Sequence, residues 1–267
     1  SGFAVGYQKN LQSLSAITNS FIPIQPFKMN FWSMNIISYY SDNNNFFSLL
    51  NILAIFIFIG CLFSLKESKK AQLFFIFSFL LILGFTTFKF TGTLRHQGHL
   101  FITFILALWI RNISEKDSKF QKYFITTILV SQVIAGFIAY YFEFKYNFSQ
   151  AKEVSLFLEK ESLKEYDIIG HYHTSVSSIS GFINKPIYYP SVKDYGTNVI
   201  WNNKSNNRVS SKSLLSLLEN KKKINKNTLL ITSYKIEDEK LLKEHNISLL
   251  KEFAPSIVRD ESFYLYK

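Results

Sequence analysis

Lys89, Arg95, His96 and His99 crowd into one short stretch, Phe88-Lys89-Phe90-Thr91-Gly92-Thr93-Leu94-Arg95-His96-Gln97-Gly98-His99. On a helix, Arg95 and His99 are four residues apart and share a face, with His96 beside them. A guanidinium pairs with phosphate through two parallel hydrogen bonds, so this group has the chemistry to hold a lipid-linked phosphate. The same side chains also suit simple interfacial snorkelling, in which they reach lipid headgroups and recognise nothing specific. Both readings stand at this level.

A second candidate is His171-Tyr172-His173, followed by Thr174, Ser175, Ser177 and Ser178. The end of a strand entering a helix is where open α/β sheets bind ligands. The His-x-His pair lacks a third metal ligand and no glycine-rich phosphate loop accompanies it. The preferred reading is therefore a polar strand exit, with Thr174 or Ser175 capping the next helix. Asp42, Asp167, Asp194 and the pair Asp260-Glu261 are not spaced for paired acid–base work and read as turn or surface residues. No catalytic residue, metal site or cofactor is assigned. The single cysteine, Cys61, excludes an intrachain disulfide and a cysteine-based zinc site.

These groups need elements to position them, and the chain supplies two kinds. Residues 1–142 hold 11 Lys+Arg and 4 Asp+Glu, against 19 and 15 in residues 143–267. A half nearly free of acids and dense in Phe, Ile and Leu reads as lipid-embedded. The remainder reads as the mixed-charge surface of a soluble domain. Neither half has the concentrated basic stripe of a nucleic-acid binder, so nucleic acid is excluded as a partner and membrane lipids are expected.

Four spans are expected, near 46–65, 71–88, 94–110 and 123–142. The first and last are twenty-residue uncharged runs, about 30 Å as helix and a match for a hydrocarbon core. The third has an apolar run of only eleven residues, Leu100–Ile110, or about 16 Å. Extending it back to Leu94 gives about 25 Å and brings Arg95, His96 and His99 to the membrane boundary. Lys66, Lys69 and Lys70 lie in one short loop, and Arg111, Lys116, Lys119 and Lys122 in another. The positive-inside rule makes both cytoplasmic. The expected product is a multi-pass integral membrane protein whose C-terminal domain faces the periplasm or lumen.

Residues 1–45, with Pro23, Pro26 and Trp32, read as an outer-face interfacial segment or the end of a missing span; two prolines argue against a regular helix. From the opening Ser1 and the lack of a basic leader, a fragment with spans upstream is expected. Residues 147–267 alternate short strands and helices: strands at Tyr166–Tyr172, Pro186–Tyr189, Thr197–Trp201, Thr228–Tyr234, Ile247–Phe253 and Phe263–Tyr266, helices at Ser149–Ser162, Ser175–Asn184, Ser210–Glu219 and Glu237–His245. That order predicts a soluble α/β domain, its mostly parallel sheet covered by helices.

With this layout, the chain resembles the C-terminal part of GT-C type polytopic membrane glycosyltransferases, which depend on polyprenyl-phosphate sugars. The resemblance rests on the outer-facing Phe88–His99 turn entering a short span, the Pro23/Pro26/Trp32 stretch, and the α/β domain after the last span. It implies transfer of a sugar from a polyprenyl-phosphate-linked donor on the outer face, without a cofactor. Lys89, Arg95, His96 and His99 would bind the carrier phosphate and neutralise it as a leaving group. The family's catalytic acid sits in a first outer loop that this segment does not contain. The alternative class is a non-catalytic subunit for envelope polysaccharide or lipoprotein assembly, its outer domain docking a partner.

Overall fold

The computed structural model describes residues 16–32, 34–39, 44–89, 94–111, 118–199 and 209–267. The chain divides into two compact units, Ser1–Phe142 and Glu143–Lys267.

The first unit is helical. Its principal helices are α1 (Asn44–Ser64), α2 (Lys69–Phe88), α3 (His99–Arg111) and α4 (Lys119–Lys145, whose last turn lies in the second unit). Residues 16–21 are also helical, and two one-turn helices, Ile36–Tyr39 and Leu94–Gln97, lie between the longer ones. One cluster joins them: Ile17 and Phe21, Ile57 and Cys61 of α1, Phe75 and Phe79 of α2, Leu100 and Phe104 of α3, and Ile128 of α4. Cys61 is fully buried in this cluster, so its small thiol serves helix packing.

Polar side chains in this unit serve helix ends. Ser118 and Gln121 form a reciprocal capping box at the start of α4: the Ser118 N–H donates to Gln121 Oε1 (2.7 Å) and the Gln121 N–H to Ser118 Oγ (3.3 Å). The same glutamine amide then donates to the Phe63 carbonyl (3.3 Å), and Gln72 Nε2 donates to that of Leu62 (3.0 Å). These are carbonyls of the last turn of α1, where the four-residue donors run out; each also accepts a longer three-residue bond, Leu62 from the Leu65 N–H (3.2 Å) and Phe63 from the Lys66 N–H (3.3 Å). Ser131 and Gln132 of α4 likewise bind the carbonyls of Phe21 (2.8 Å) and Ser20 (3.1 Å).

The expectation of four spans is corrected. Among the described residues, two helices are long and apolar enough to cross a membrane: α2, with 20 residues, and α4, with 27. Of the other apolar helices, α3 is short, 13 residues or about 20 Å against a core of about 30 Å, and in α1 the apolar stretch of described side chains is Asn51–Ser64. Counting uncharged residues overstates the third span, because no single helix runs through all of 94–110. Leu94–Gln97 and α3 are separate helices that meet at Gly98, so the turn before His99 does not lengthen α3. The mean exposure of α2 and α4 is also unlike that of a soluble core. Only 22% and 17% of their apolar windows are buried.

The second unit is a three-layer α/β sandwich. Its strands are β1 (Asp167–His171), β2 (Ile187–Tyr189), β3 (Asp194–Gly196), β4 (Thr228–Thr232), β5 (Leu249–Phe253) and β6 (Phe263–Tyr266). Its helices are α5 (Ala151–Lys160), α6 (His173–Ile183), α7 (Ser211–Ile224) and the short α8 (Glu239–Glu244). The strand order is β3-β2-β1-β4-β6-β5. Side chains alternate across the sheet as the pleat requires: Ile168, Leu229 and Ile231 face α5 and α6, while Ile169 and Leu230 face Leu214, Leu215 and Leu218 of α7.

The mostly parallel sheet is also corrected: the sheet is mixed. Only β2-β1-β4 is parallel, and the β2–β3, β4–β6 and β6–β5 pairings are antiparallel. The reason lies in the connections. A tight turn through Lys193, at φ 59°, folds β3 directly back on β2, and a hairpin needs only a few residues where a parallel return needs a crossover helix. No strand forms at Thr197–Val199, where one was expected to begin; the strand here is β3, which ends at Gly196, and Ile200 and Trp201 lie outside the described residues. Helix α7 runs on to Ile224, past the expected end at Glu219.

Candidate functional site

In the helical unit, the Phe88–His99 stretch is placed in part. Lys89 is exposed and caps the C-terminus of α2, its backbone N–H donating to the Phe85 carbonyl at 2.9 Å. His96 is half-buried in the one-turn helix, and exposed His99 begins α3. The two histidines meet: His99 Nδ1 donates to the His96 carbonyl at 2.8 Å, which fixes the proton on Nδ1. Gln97 accepts from Asn19 Nδ2 at 3.1 Å, tying the turn to the 16–21 helix. Arg95 has its backbone in Leu94–Gln97, and its side chain lies outside the described residues. Its pairing with His99, the feature that drew attention to the stretch, is therefore not placed.

In the α/β unit, the second candidate falls where the topology is most informative. From β1 the chain crosses through α6 to β2 on one side; it later returns through α7 to β4 on the other. The β1/β4 boundary is thus the switch point of the sheet, the position at which open α/β sheets form a crevice. His171 ends β1 opposite Thr232, the last residue of β4, and Tyr172, Ser233 and Tyr234 follow directly. The His171 carbonyl accepts from the Ser233 N–H at 2.8 Å, locking the two exits together. Gly170 permits the close packing just before this point. A Cβ there would come within 2.8 Å of Val176 Cγ1 and 2.9 Å of Ile187 Cγ2, so any side chain would push α6 and β2 away.

The His171 ring is 1% exposed and lies against Tyr172 (4.3 Å between centroids) and edge-on to Tyr234 (5.7 Å). Its Nδ1 and the Ser233 hydroxyl have no hydrogen-bond partner among the described residues. Burial lowers the His171 pKa to about 4, because a charged imidazole loses its hydration there. At neutral pH this is an uncharged ring. His173 is buried too, its Nδ1 3.3 Å from Ser191 Oγ, in contact with the ring of Tyr189 at 5.7 Å. Burial pushes the Tyr189 hydroxyl up to about 12. The site is therefore neutral and aromatic, suited to hydrogen bonding and stacking.

The expected cap is not what forms. Tyr172 is the N-cap of α6 and makes no side-chain capping bond, while Thr174 and Ser175 lie within the helix. Ser175 Oγ instead donates to Asp260 Oδ2 at 3.3 Å. Ser191, Ser233 and Tyr234 were not singled out in the sequence. Ser191 follows a strand of three residues, and Ser233-Tyr234 joins His171 only through the parallel register of β1 and β4. The usable signal was that both central strands, Asp-Ile-Ile-Gly-His and Thr-Leu-Leu-Ile-Thr, break into polar and aromatic residues at one end.

The opposite end of β1 carries a closed polar knot. Lys221 Nζ lies 2.9 Å from Asp167 Oδ2 and 2.6 Å from the Tyr195 hydroxyl, which itself donates to Asp167 Oδ1 at 3.0 Å. It holds α7 to the β1–β3 edge with every partner satisfied. Among the described residues, no three His, Cys, Asp or Glu side chains gather as a metal site. No protein family, curated protein or solved structure matches this chain.

Proposed function

We propose that the chain is part of a multi-pass integral membrane protein that transfers a sugar from a polyprenyl-phosphate carrier on the outer face. In this reading α2 and α4 lie in the bilayer, the residues between them lead the chain back to the lysine side, and Glu143–Lys267 lies outside the cytoplasm. The observation that carries the membrane part is the outward apolar face of α2: Leu73, Phe77, Leu80 and Leu81 are 68, 67, 58 and 57% exposed. Each forgoes about 1.5–3 kcal/mol of burial if the surroundings are water, and lipid removes that cost. Sidedness follows from lysines at the N-terminal ends of both long helices: Lys69 and Lys70 on α2, Lys119 and Lys122 on α4. The carrier reading is supported by exposed Lys89 and His99 flanking the turn that contains Arg95, since cationic and imidazole donors suit a phosphate leaving group.

The test uses the full chain in lipid nanodiscs with undecaprenyl phosphate as the probe. Binding is expected to weaken about tenfold in Arg95→Ala and again in the Arg95→Ala/His99→Ala double variant, from loss of charge-assisted hydrogen bonds. Unchanged binding in the double variant removes the carrier reading. Single cysteines at Ser68 and Ser211, in a Cys61→Ala background, are expected to label from opposite sides; labelling from one side overturns the sidedness.

A further inference from the structure

The helical unit holds a long open groove of about 920 Å³ between α1 and α4. Ile59, Gly60 and Phe63 line one wall, and Phe120, Tyr123 and Val130 the other. Gly60 sets its depth: a Cβ there would come within 2.4 Å of the Phe124 ring. Along α4 the lining runs from Phe120 to Ile134. This is about 21 Å of helix, more than the roughly 15 Å of half a hydrocarbon core that one acyl chain traverses.

One end of this apolar groove is cationic. Lys66 Nζ sits 4.5 Å above the centroid of the Phe63 ring, and Phe63 packs edge-on against Phe120 at 5.1 Å. Lys119 and Lys122 are exposed and flank Phe120 and Tyr123 in the chain. Glu67 pairs with Lys66 at 3.8 Å. Across residues 66–70 and 111–122 the sequence nevertheless carries seven basic against three acidic residues. A carbon-lined slot ending in ammonium groups matches one kind of molecule: a long apolar chain with an anionic head. Basic pockets between membrane helices on the cytoplasmic side recognise anionic lipid headgroups in this way.

We propose that the α1/α4 groove is a binding site for an anionic phospholipid, one acyl chain lying along Gly60 and the phosphate meeting Lys66, Lys119 and Lys122. This rests on the membrane reading above, and it concerns the lysine end of the helices, at the opposite side from the Phe88–His99 turn in that reading. The lysines set headgroup preference and the groove sets chain retention, so the two are separable.

The experiment places the full chain in nanodiscs of phosphatidylcholine with a minority of phosphatidylglycerol, extracts it in mild detergent, and quantifies retained lipid by mass spectrometry. Phosphatidylglycerol is expected to be enriched over its bulk share by at least about tenfold, since each nearby lysine contributes about fivefold. The Lys66→Gln/Lys119→Gln/Lys122→Gln variant is expected to retain lipid without headgroup preference. Thr127→Trp, which places an indole at an exposed lining position, is expected to lose the retained lipid. Equal retention of both lipids by the unaltered chain, or unaltered enrichment in either variant, overturns the proposal. A chain that stays in solution without detergent fails the membrane reading itself, whereas an integral chain without enrichment fails only the groove.

Discussion

The two units use similar side chains in opposite ways. In Glu143–Lys267, Leu and Ile sit inside: Leu229, Leu230, Ile231, Leu214 and Leu218 are fully buried on the two faces of one sheet. In the helical unit, Phe and Leu lie on both sides of the same helix: Phe75 is fully buried while Phe77 is 67% exposed. An amphipathic surface helix turns one stripe inward and keeps polar residues outside. α2 has no polar outer face to keep. Polar groups also divide: in the helical unit they close helix ends, and in the sheet unit they gather at the ends of the central strands. Position relative to the surrounding solvent, more than hydrophobic content, distinguishes the two.

The sharpest way to break this comparison is one charge in each unit. Leu230→Asp puts an unpaired carboxylate in the centre of the sheet and is expected to unfold the α/β unit, at a cost of about 5 kcal/mol or more. Phe77→Asp adds the same group on an exposed face, where a soluble protein would gain solubility. In lipid it is expected to cost about 3 kcal/mol, read as loss of the chain from the membrane fraction. A Phe77→Asp chain that fractionates and folds like the unaltered one removes the contrast.

A smaller effect sharpens the description of the sheet crevice. The folded His171 pKa is about 4 against an ordinary value of 6.5. Below 6.5 the unfolded chain takes up a proton that the folded chain refuses. Stability is therefore fully present above pH 6.5 and falls as pH drops towards 4, by about 3 kcal/mol in all. Urea unfolding of the α/β unit at pH 7 and pH 4.5 measures this, and the His171→Asn variant is expected to flatten the pH slope. An equal slope in both places the proton uptake elsewhere.

The smallest effect concerns the polar links of the helical unit. Gln121→Leu removes the reciprocal cap on α4 together with the amide that meets the Phe63 carbonyl. It is expected to lower stability by about 2 kcal/mol, from loss of the acceptor for the Ser118 N–H and of the amide donor to the carbonyls at the end of α1. Thermal unfolding in detergent checks it. A midpoint unchanged from that of the parent chain means that water serves those carbonyls equally well.

Much of the layout was legible in the residues. The long apolar runs ending at Phe88 and beginning near Tyr123 became α2 and α4, and Phe263–Tyr266 formed a strand with the expected bounds. Other features were not. Uncharged length promised a span at 94–110, but helix continuity depends on where turns such as Gly98 fall. Strand-helix alternation promised a parallel sheet, yet the antiparallel returns at β3 and β6 run through helix-free or 3-10 connections that periodicity does not register. His171 and His173 stand out in the sequence only as a His-x-His pair, because neither Ser191 nor Tyr234 is near them in the chain.

By itself the amino-acid order determined which segments are apolar, where lysines collect, and that a second unit of strands and helices follows. Those are local properties, set by side-chain chemistry and spacing. Only the tertiary structure decided that β1 and β4 lie side by side with their polar ends together, and that α1 and α4 enclose a groove. Each joins residues tens of positions apart, through backbone pairing in one case and helix packing in the other, and no local pattern carries that information.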